Sequence, residues 1–249
     1  MRLTVVGTGS SGNSYVLESG GKKLILDAGM RAEEIIRACN GLHDVVGCLV
    51  THEHGDHSKS AMALIHYGVN VYTTHGTSDV MGIKKGFFVP FWHMVEMLEP
   101  ILIDRFTVLP FPTEHDAQEP CGFLIKDRKT GEQVLYATDT YYLRNTFPHI
   151  NFWIIECNYT DEILNKQMEA GLINRVLANR LRKSHMSLKR LKLTLKANDL
   201  TDTRKILLVH LSDGRSDEQQ MVEEISTLTG KETIAVNSGM VIDLNLTPF

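Results

Sequence analysis

The chain opens on a short apolar run, Leu3–Val6, breaks at a glycine-rich bend, and resumes with Ser14–Glu18, a Gly20–Gly21 turn and Leu24–Leu26. Apolar runs of this length bounded by glycine predict strands. Read the same way, the chain predicts strands at 3–6, 14–18, 23–27, 46–50, 70–73, 101–103 and 106–109. Further strands are predicted at 122–126, 133–137, 152–156, 205–210 and 233–236. Amphipathic stretches predict helices at 31–39, 58–67, 160–170, 172–182, 187–197 and 216–228, with Ser187 as an N-cap. Strands dominate the first half and helices fill in later, which implies a layered α/β architecture of helix-covered sheets. Gly76–Pro100 carries Phe87, Phe88, Phe91 and Trp92 without a clean period. It reads as a loop or lid with aromatics, the alternative being a buried irregular strand.

The first bend, VVGTGSSGNSYVLE over residues 5–18, fits G-x-G-x-x-G through Gly7, Gly9 and Gly12. That fingerprint marks a dinucleotide site only when a strand precedes the glycines and a helix follows. Here a second strand follows, and no Gly-Lys-Ser/Thr ending makes a P-loop. The stretch is a glycine-rich bend between strands.

A chain of 249 residues is long enough to bury a substantial core, and a single domain over 1–249 is expected. No apolar run approaches the roughly 20 residues of a membrane span, and no signal-peptide layout opens the chain. Cys39, Cys48, Cys121 and Cys157 are scattered without C-x-x-C spacing, which argues against a disulfide framework or thiolate zinc site and points to the cytoplasm. A net charge of −4 disfavours general nucleic-acid coating while leaving room for a local basic groove.

The chemistry concentrates after the run Val46–Val50, in Thr51-His52-Glu53-His54-Gly55-Asp56-His57. Imidazoles and a carboxylate packed into one tight loop suit zinc and related borderline metals. His52 and His54 can converge on one ion, and Asp56 and His57 on a second beside it. H-x-H-x-D-H after a strand resembles the signature of the metallo-β-lactamase superfamily, whose fold is a four-layer αβ/βα sandwich. With that resemblance, other motifs fall into order. Asp27 in LILDAG resembles the early acidic position that steadies the ligand loop. His115 in PTEHD resembles the third histidine of the first metal site, Asp139 in YATDT the carboxylate shared by both ions, and His210 in LVHLSD the last histidine of the second site. The resemblance thus implies two divalent ions per chain, zinc first and manganese second. His52, His54 and His115 would hold one, Asp56, His57 and His210 the other, with Asp139 between.

The fold alone does not choose among thioester, lactam and phosphodiester hydrolysis. Histidine at position 54, where di-iron members carry a carboxylate, favours a hydrolytic site. Glu156 in IIECN, then His185 in KSHMS, then His210 resemble the phosphodiesterase branch that includes ribonuclease Z. The resemblance implies that His185 protonates the departing alkoxide and that Glu156 orients and charges it, with Asp56 counted beside them in the catalytic set. A general acid of this kind contributes about 10²–10⁴ in rate. The alternative for His185 is a cap on the helix near Ser187. A thioester hydrolase of the glyoxalase type gives Glu156 and His185 no role, and a non-catalytic nucleotide binder needs no complete metal set.

Between Leu172 and Ala197 there is no acidic residue, but Arg175, Arg180, Arg182, Lys183, Lys189, Arg190, Lys192 and Lys196 are present. Such a run is either a solvated face or a field that draws in phosphate. Two subgroups of the family compete. The opening S-S-G-N, His115–Ala117 followed by Glu119–Phe123, and H-L-S resemble small bacterial proteins regarded as DNA exonucleases. Those usually carry Asn-His-Asp where this chain has Cys157-Asn158-Tyr159-Thr160. ECNYTDEILN, SHMSL and LVHLSDGRSD look similar to the phage anti-Pycsar phosphodiesterases, which cleave cyclic CMP, cyclic UMP and other 3′,5′-cyclic mononucleotides. The cyclic nucleotide reading is preferred here, with a metal-dependent exonuclease as the alternative. The resemblance also implies a homodimer in the cytoplasm (the host's, if phage-encoded), no membrane partner, and Gly76–Pro100 as a loop closing the partner's site.

Overall fold

The structure is a computed structural model that describes residues 1–83 and 89–245. Along the chain run β1 (Arg2–Gly7), β2 (Ser14–Ser19), β3 (Lys22–Leu26), α1 (Ala32–Ala38) and β4 (Val45–Leu49). Next come α2 (Gly55–Ser58), α3 (Ala61–His66), β5 (Val71–Thr74), α4 (His75–Val80) and β6 (Trp92–Val95). β7 (Ile101–Ile103), β8 (Phe106–Pro112), β9 (Cys121–Asp127), β10 (Gln133–Ala137) and β11 (Phe152–Glu156) follow. The chain continues through α5 (Asp161–Glu169), α6 (Arg175–Ser184), α7 (Leu188–Ala197) and β12 (Lys205–Val209). It closes with α8 (Glu218–Thr229), β13 (Glu232–Ala235) and β14 (Val241–Asp243).

Two compact units are present. The first comprises Met1–Pro112, Ala117–Glu132 and Asn237–Phe249. Seven of its strands form a sheet of order β14-β1-β2-β3-β4-β5-β6. The strands are antiparallel from β14 to β3 and parallel from β3 to β6. β7, β8 and β9 form an antiparallel ladder. β1 alternates Leu3, Val5 and Gly7 inward with Arg2, Thr4 and Val6 outward, the period-2 pattern of a strand with one buried face. Ile25, Ile35, Cys48, Leu64, Val71 and Trp92 belong to the core packed against this sheet.

The second unit comprises Thr113–Asp116 and Gln133–Val236. β10, β11, β12 and β13 run parallel. β11, Phe-Trp-Ile-Ile-Glu, is buried at every position, as a strand covered on both faces must be. Tyr159, Leu164, Ile173 and Ala178 pack α5 and α6 together.

Most predicted elements are present, and the differences have physical causes. The helix expected at 58–67 is two, α2 and α3. Ser60 parts them, its N–H bonding the Ala28 carbonyl and its hydroxyl that of Met30. The helix expected at 172–182 runs from Arg175 to Ser184, because Gly171 (φ 71°) breaks the chain and the Asn174 side chain caps the Leu177 N–H at 2.8 Å. In Gly76–Pro100, α4 and β6 replace much of the expected loop. Trp92 is buried and donates its indole N–H to Ser78, the burial that made a strand the alternative reading there. Phe87 and Phe88 lie outside the described residues. The strands expected to reach Asp27 and His210 stop one residue earlier, with consequences for the site.

Candidate active site

In the first unit, β4 ends at Leu49 and delivers His52, His54, Asp56 and His57 into the turn that becomes α2. His52 Nε2 and His54 Nδ1 lie 3.1 Å apart, and the His52 and His57 rings are 4.2 Å centroid to centroid. The Thr51 hydroxyl sits 3.0 Å from Asp27 Oδ1 and from His52 Nδ1. With its single proton given to the carboxylate, the hydroxyl accepts from His52 Nδ1–H. His52 Nε2 is then a lone pair facing His54, an arrangement that a cation satisfies.

Asp27 is fully buried. It accepts the Thr51 N–H at 2.8 Å on Oδ1, and the His57 Nδ1–H at 2.8 Å on Oδ2. A carboxylate holding Nδ1–H leaves Nε2 of His57 as the ligating atom. Asn13 N–H donates to the Asp56 carbonyl at 2.7 Å, and Ala28 N–H to the His57 carbonyl at 2.7 Å. Gly29 is required beside this turn, since a Cβ there would lie 1.6 Å from the Asp56 carbonyl oxygen. Glu53 takes no part in the cluster; its carboxylate accepts the Gln118 N–H.

In the second unit the groups arrive from separate elements. His115 donates Nδ1–H to the Ser184 carbonyl at 2.8 Å, and its Nε2 is 3.5 Å from Asp139 Oδ2. Asp139 follows β10, and its Oδ1 is 3.1 Å from His210 Nδ1. Ligand atoms of Asp139, Glu156, His185 and His210 all lie within 4.8 Å of one another. Glu156, fully buried at the end of β11, is the hub. Its Oε1 meets His185 Nδ1 at 2.7 Å and His210 Nδ1 at 2.9 Å, while Oε2 accepts the Thr140 and Met186 N–H groups. With four donors on two oxygens, Glu156 is an anchor for its neighbours rather than a free ligand.

Burial pushes the Glu156 carboxyl up, but His185 and His210 beside it prevail and hold it below the usual glutamate range. Burial pushes His185 down, and the Glu156 charge and hydrogen bond, with Asp139 and Asp116, overcome this to raise it to about 9. His115 is pushed down by its burial. His185 caps the C-terminus of α6, while Ser187 caps α7 and accepts the Arg190 N–H.

Three of the site's residues have left-handed backbone, Asp27 at φ 59°, Asp139 at 47° and His210 at 55°. Each immediately or nearly follows a strand, and the reversal turns its side chain off the end. Strain of this kind is held in place where surrounding structure over-determines it. Sequence reasoning passed over three supporting groups. Asn13 and Thr51 brace the ligand loop; Asn158 donates to the His210 carbonyl at 2.8 Å and lies 3.2 Å from its Nδ1. Their common signal is a small polar residue at or just past a strand terminus.

The donor set, three histidines and an aspartate on one turn and two histidines around Asp139 in the other unit, suits divalent metal ions. A family model described as a beta-lactamase superfamily domain matches residues 23–211. The chain is 27% identical to exodeoxyribonuclease WalJ of Streptococcus pneumoniae serotype 2, over 98% of this chain and 93% of that one. It is 30% identical to the anti-Pycsar protein Apyc1 of Saccharibacillus brassicae, over 37% of this chain and 40% of that one. Its fold matches that of the metallo-β-lactamase fold protein YhfI of Bacillus subtilis with a TM-score of 0.74 at 17% identity, covering 97% and 98% of the two chains.

Proposed function

We propose that this chain, which belongs to the beta-lactamase superfamily and has its α/β sandwich fold, is a metal-dependent phosphodiester hydrolase that acts on DNA ends. In this reading His52, His54 and His115 hold one divalent ion, Asp56, His57 and His210 a second, and Asp139 serves both. Zinc suits the imidazole-rich set, and manganese is the second choice. Such ions supply positive charge for the phosphate and lower the pKa of water.

The observation that carries the reading is the Glu156–His185 pair at 2.7 Å. A histidine held cationic by a buried carboxylate has a proton to give at neutral pH, and a ribose or deoxyribose oxygen leaving a phosphodiester needs one. Nε2 is the atom that gives it, since Glu156 occupies Nδ1. A thioester, with its good leaving group, has no such need.

DNA comes before a cyclic mononucleotide because the likeness to an exodeoxyribonuclease runs nearly end to end, whereas that to an anti-Pycsar protein covers 37% of the chain. The order preferred from sequence alone is thereby reversed. The exposed cations Arg175, Arg180 and Lys183 on α6, the helix that ends at His185, also favour a polyanion. The cyclic nucleotide reading stays second on the strength of the partial relative. A cytoplasmic setting accompanies either; among the described residues no helix is long and apolar enough to cross a membrane.

The deciding assay incubates zinc- or manganese-loaded protein with end-labelled single- and double-stranded DNA and, separately, with 3′,5′-cyclic CMP, UMP, AMP and GMP. Shortened DNA with intact cyclic nucleotides supports the proposal. Ring-opening with intact DNA transfers it to the second reading, and no turnover of either refutes phosphodiester hydrolysis.

A further inference from the structure

The glycine-rich bend of residues 7–13 is not yet accounted for by the proposed chemistry, although it ends on a fully buried amide beside a ligand histidine. We propose that Asn13 is a positioning residue that fixes the His57 ring and competes with the metal ion for its Nε2 lone pair, and so sets the occupancy of that ion's site. The inference rests on the reading of His57 as a ligand.

The Asn13 amide cannot be turned over. Its Oδ1 accepts the Gly9 N–H at 2.9 Å and its Nδ2 donates to the Gly9 carbonyl at 3.0 Å. The second Nδ2 proton is directed at His57 Nε2, 3.0 Å away. On the ring's other side Asp27 takes Nδ1–H at 2.8 Å. The imidazole is therefore gripped at both nitrogens in one tautomer, with Nε2 obliged to be the acceptor. The backbone adds two ties: Asn13 N–H donates to the Asp56 carbonyl at 2.7 Å, and the Asn13 carbonyl accepts from Gly29 at 2.9 Å.

The glycines make this approach possible. Gly9 and Gly12 have φ of 95° and 148°, and a Cβ on Gly12 would lie 2.3 Å from the Gly29 carbonyl oxygen. The pattern that resembles a phosphate-binding turn is thus a device for bringing an amide to a histidine. When an ion takes the Nε2 lone pair, the Asn13 proton loses its acceptor. Asn13 thus reports on that ion directly.

The test is a Zn²⁺ titration of the chelator-stripped protein against a chromophoric chelator, for wild type and Asn13→Ala. The expected result is that one of two Zn²⁺ sites tightens by about 2–10-fold, the worth of one hydrogen bond no longer surrendered on binding, while the other keeps its affinity. Unchanged affinity at both sites, an equal change at both, or a weakened site overturns the assignment. Should Asn13→Ala fail to fold, ¹⁵N NMR of the wild-type chain decides: added Zn²⁺ must shift the Asn13 side-chain amide together with His57 Nε2. A shift of His57 alone overturns the role of Asn13. Wild-type protein that takes up no Zn²⁺ fails differently, by removing the ligand reading itself.

Discussion

The two units supply their chemistry in opposite ways. In the first, the ligand loop is contiguous: His52, His54, Asp56 and His57 occupy six residues and are braced by Asp27, Thr51 and Asn13 from adjacent strand ends. In the second, His115, Asp139, Glu156, His185 and His210 come from five separate points along the chain, with His185 and His210 held on one buried carboxylate. A contiguous loop tolerates the loss of one brace, because its backbone remains tied. A hub arrangement does not, since removing the hub frees several groups at once. In the proposed reading the first unit holds an ion, and the second both holds one and moves a proton.

The largest effect separating the two is expected at Asp139. Asp139→Asn keeps a residue that tolerates left-handed backbone yet removes the charge, and turnover should fall by at least about 10³-fold, as for one member of a group acting as a unit. Single-turnover rates measured beside metal content check this. His185→Ala should cost about 10²–10⁴ in rate with the metal content unchanged. A loss of bound metal in that variant would make His185 a ligand and dissolve the distinction between hub and loop.

In the first unit the effects should be on affinity. Asp27→Asn leaves His57 Nδ1–H and the Thr51 donors competing for one carbonyl oxygen, and metal affinity should drop by roughly 10–100-fold with turnover at saturating metal largely kept. Competition titration and a metal-saturated assay distinguish this from a catalytic role.

The smallest effect is one of pH on the metal-free protein. His185 titrates near 9 in the folded chain and near its ordinary value of about 6.5 when unfolded. Its contribution to stability is complete below about 6.5 and is lost as pH rises through about 9. Wild type should therefore require less denaturant to unfold at pH 10 than at pH 7, and His185→Ala should flatten that dependence.

The same contrast explains what could be read in advance. His52, His54, Asp56 and His57 are legible because chemistry and spacing coincide in one short stretch. His115, Asp139 and His210 are single residues after strands, meaningful only through their order and a family likeness. Strands as apolar as β11 are plain. β14, with Ile242 as its one buried residue, carries too little pattern to show. β6 starts among aromatics without a period, and α4, His-Gly-Thr-Ser-Asp-Val, is short and mostly polar. Asn13 and Asn158 are invisible for another reason. Their roles depend on which carbonyl and which ring nitrogen lie opposite, and distant segments of chain provide those.

The left-handed backbone at Asp27, Asp139 and His210 bears on how the protein can change. Conformations of this kind cost about 1–3 kcal/mol each, against a total stability of about 5–15 kcal/mol for a folded domain. The working site thus lies uphill for the empty polypeptide. A bound ion at 100 times its dissociation constant would return about 2.7 kcal/mol, so in the proposed reading the ions would be folding ligands as well as reagents. Selection for activity and selection for a stable empty chain pull these three positions in different directions. A lineage released from the first would be free to relax them toward glycine or asparagine.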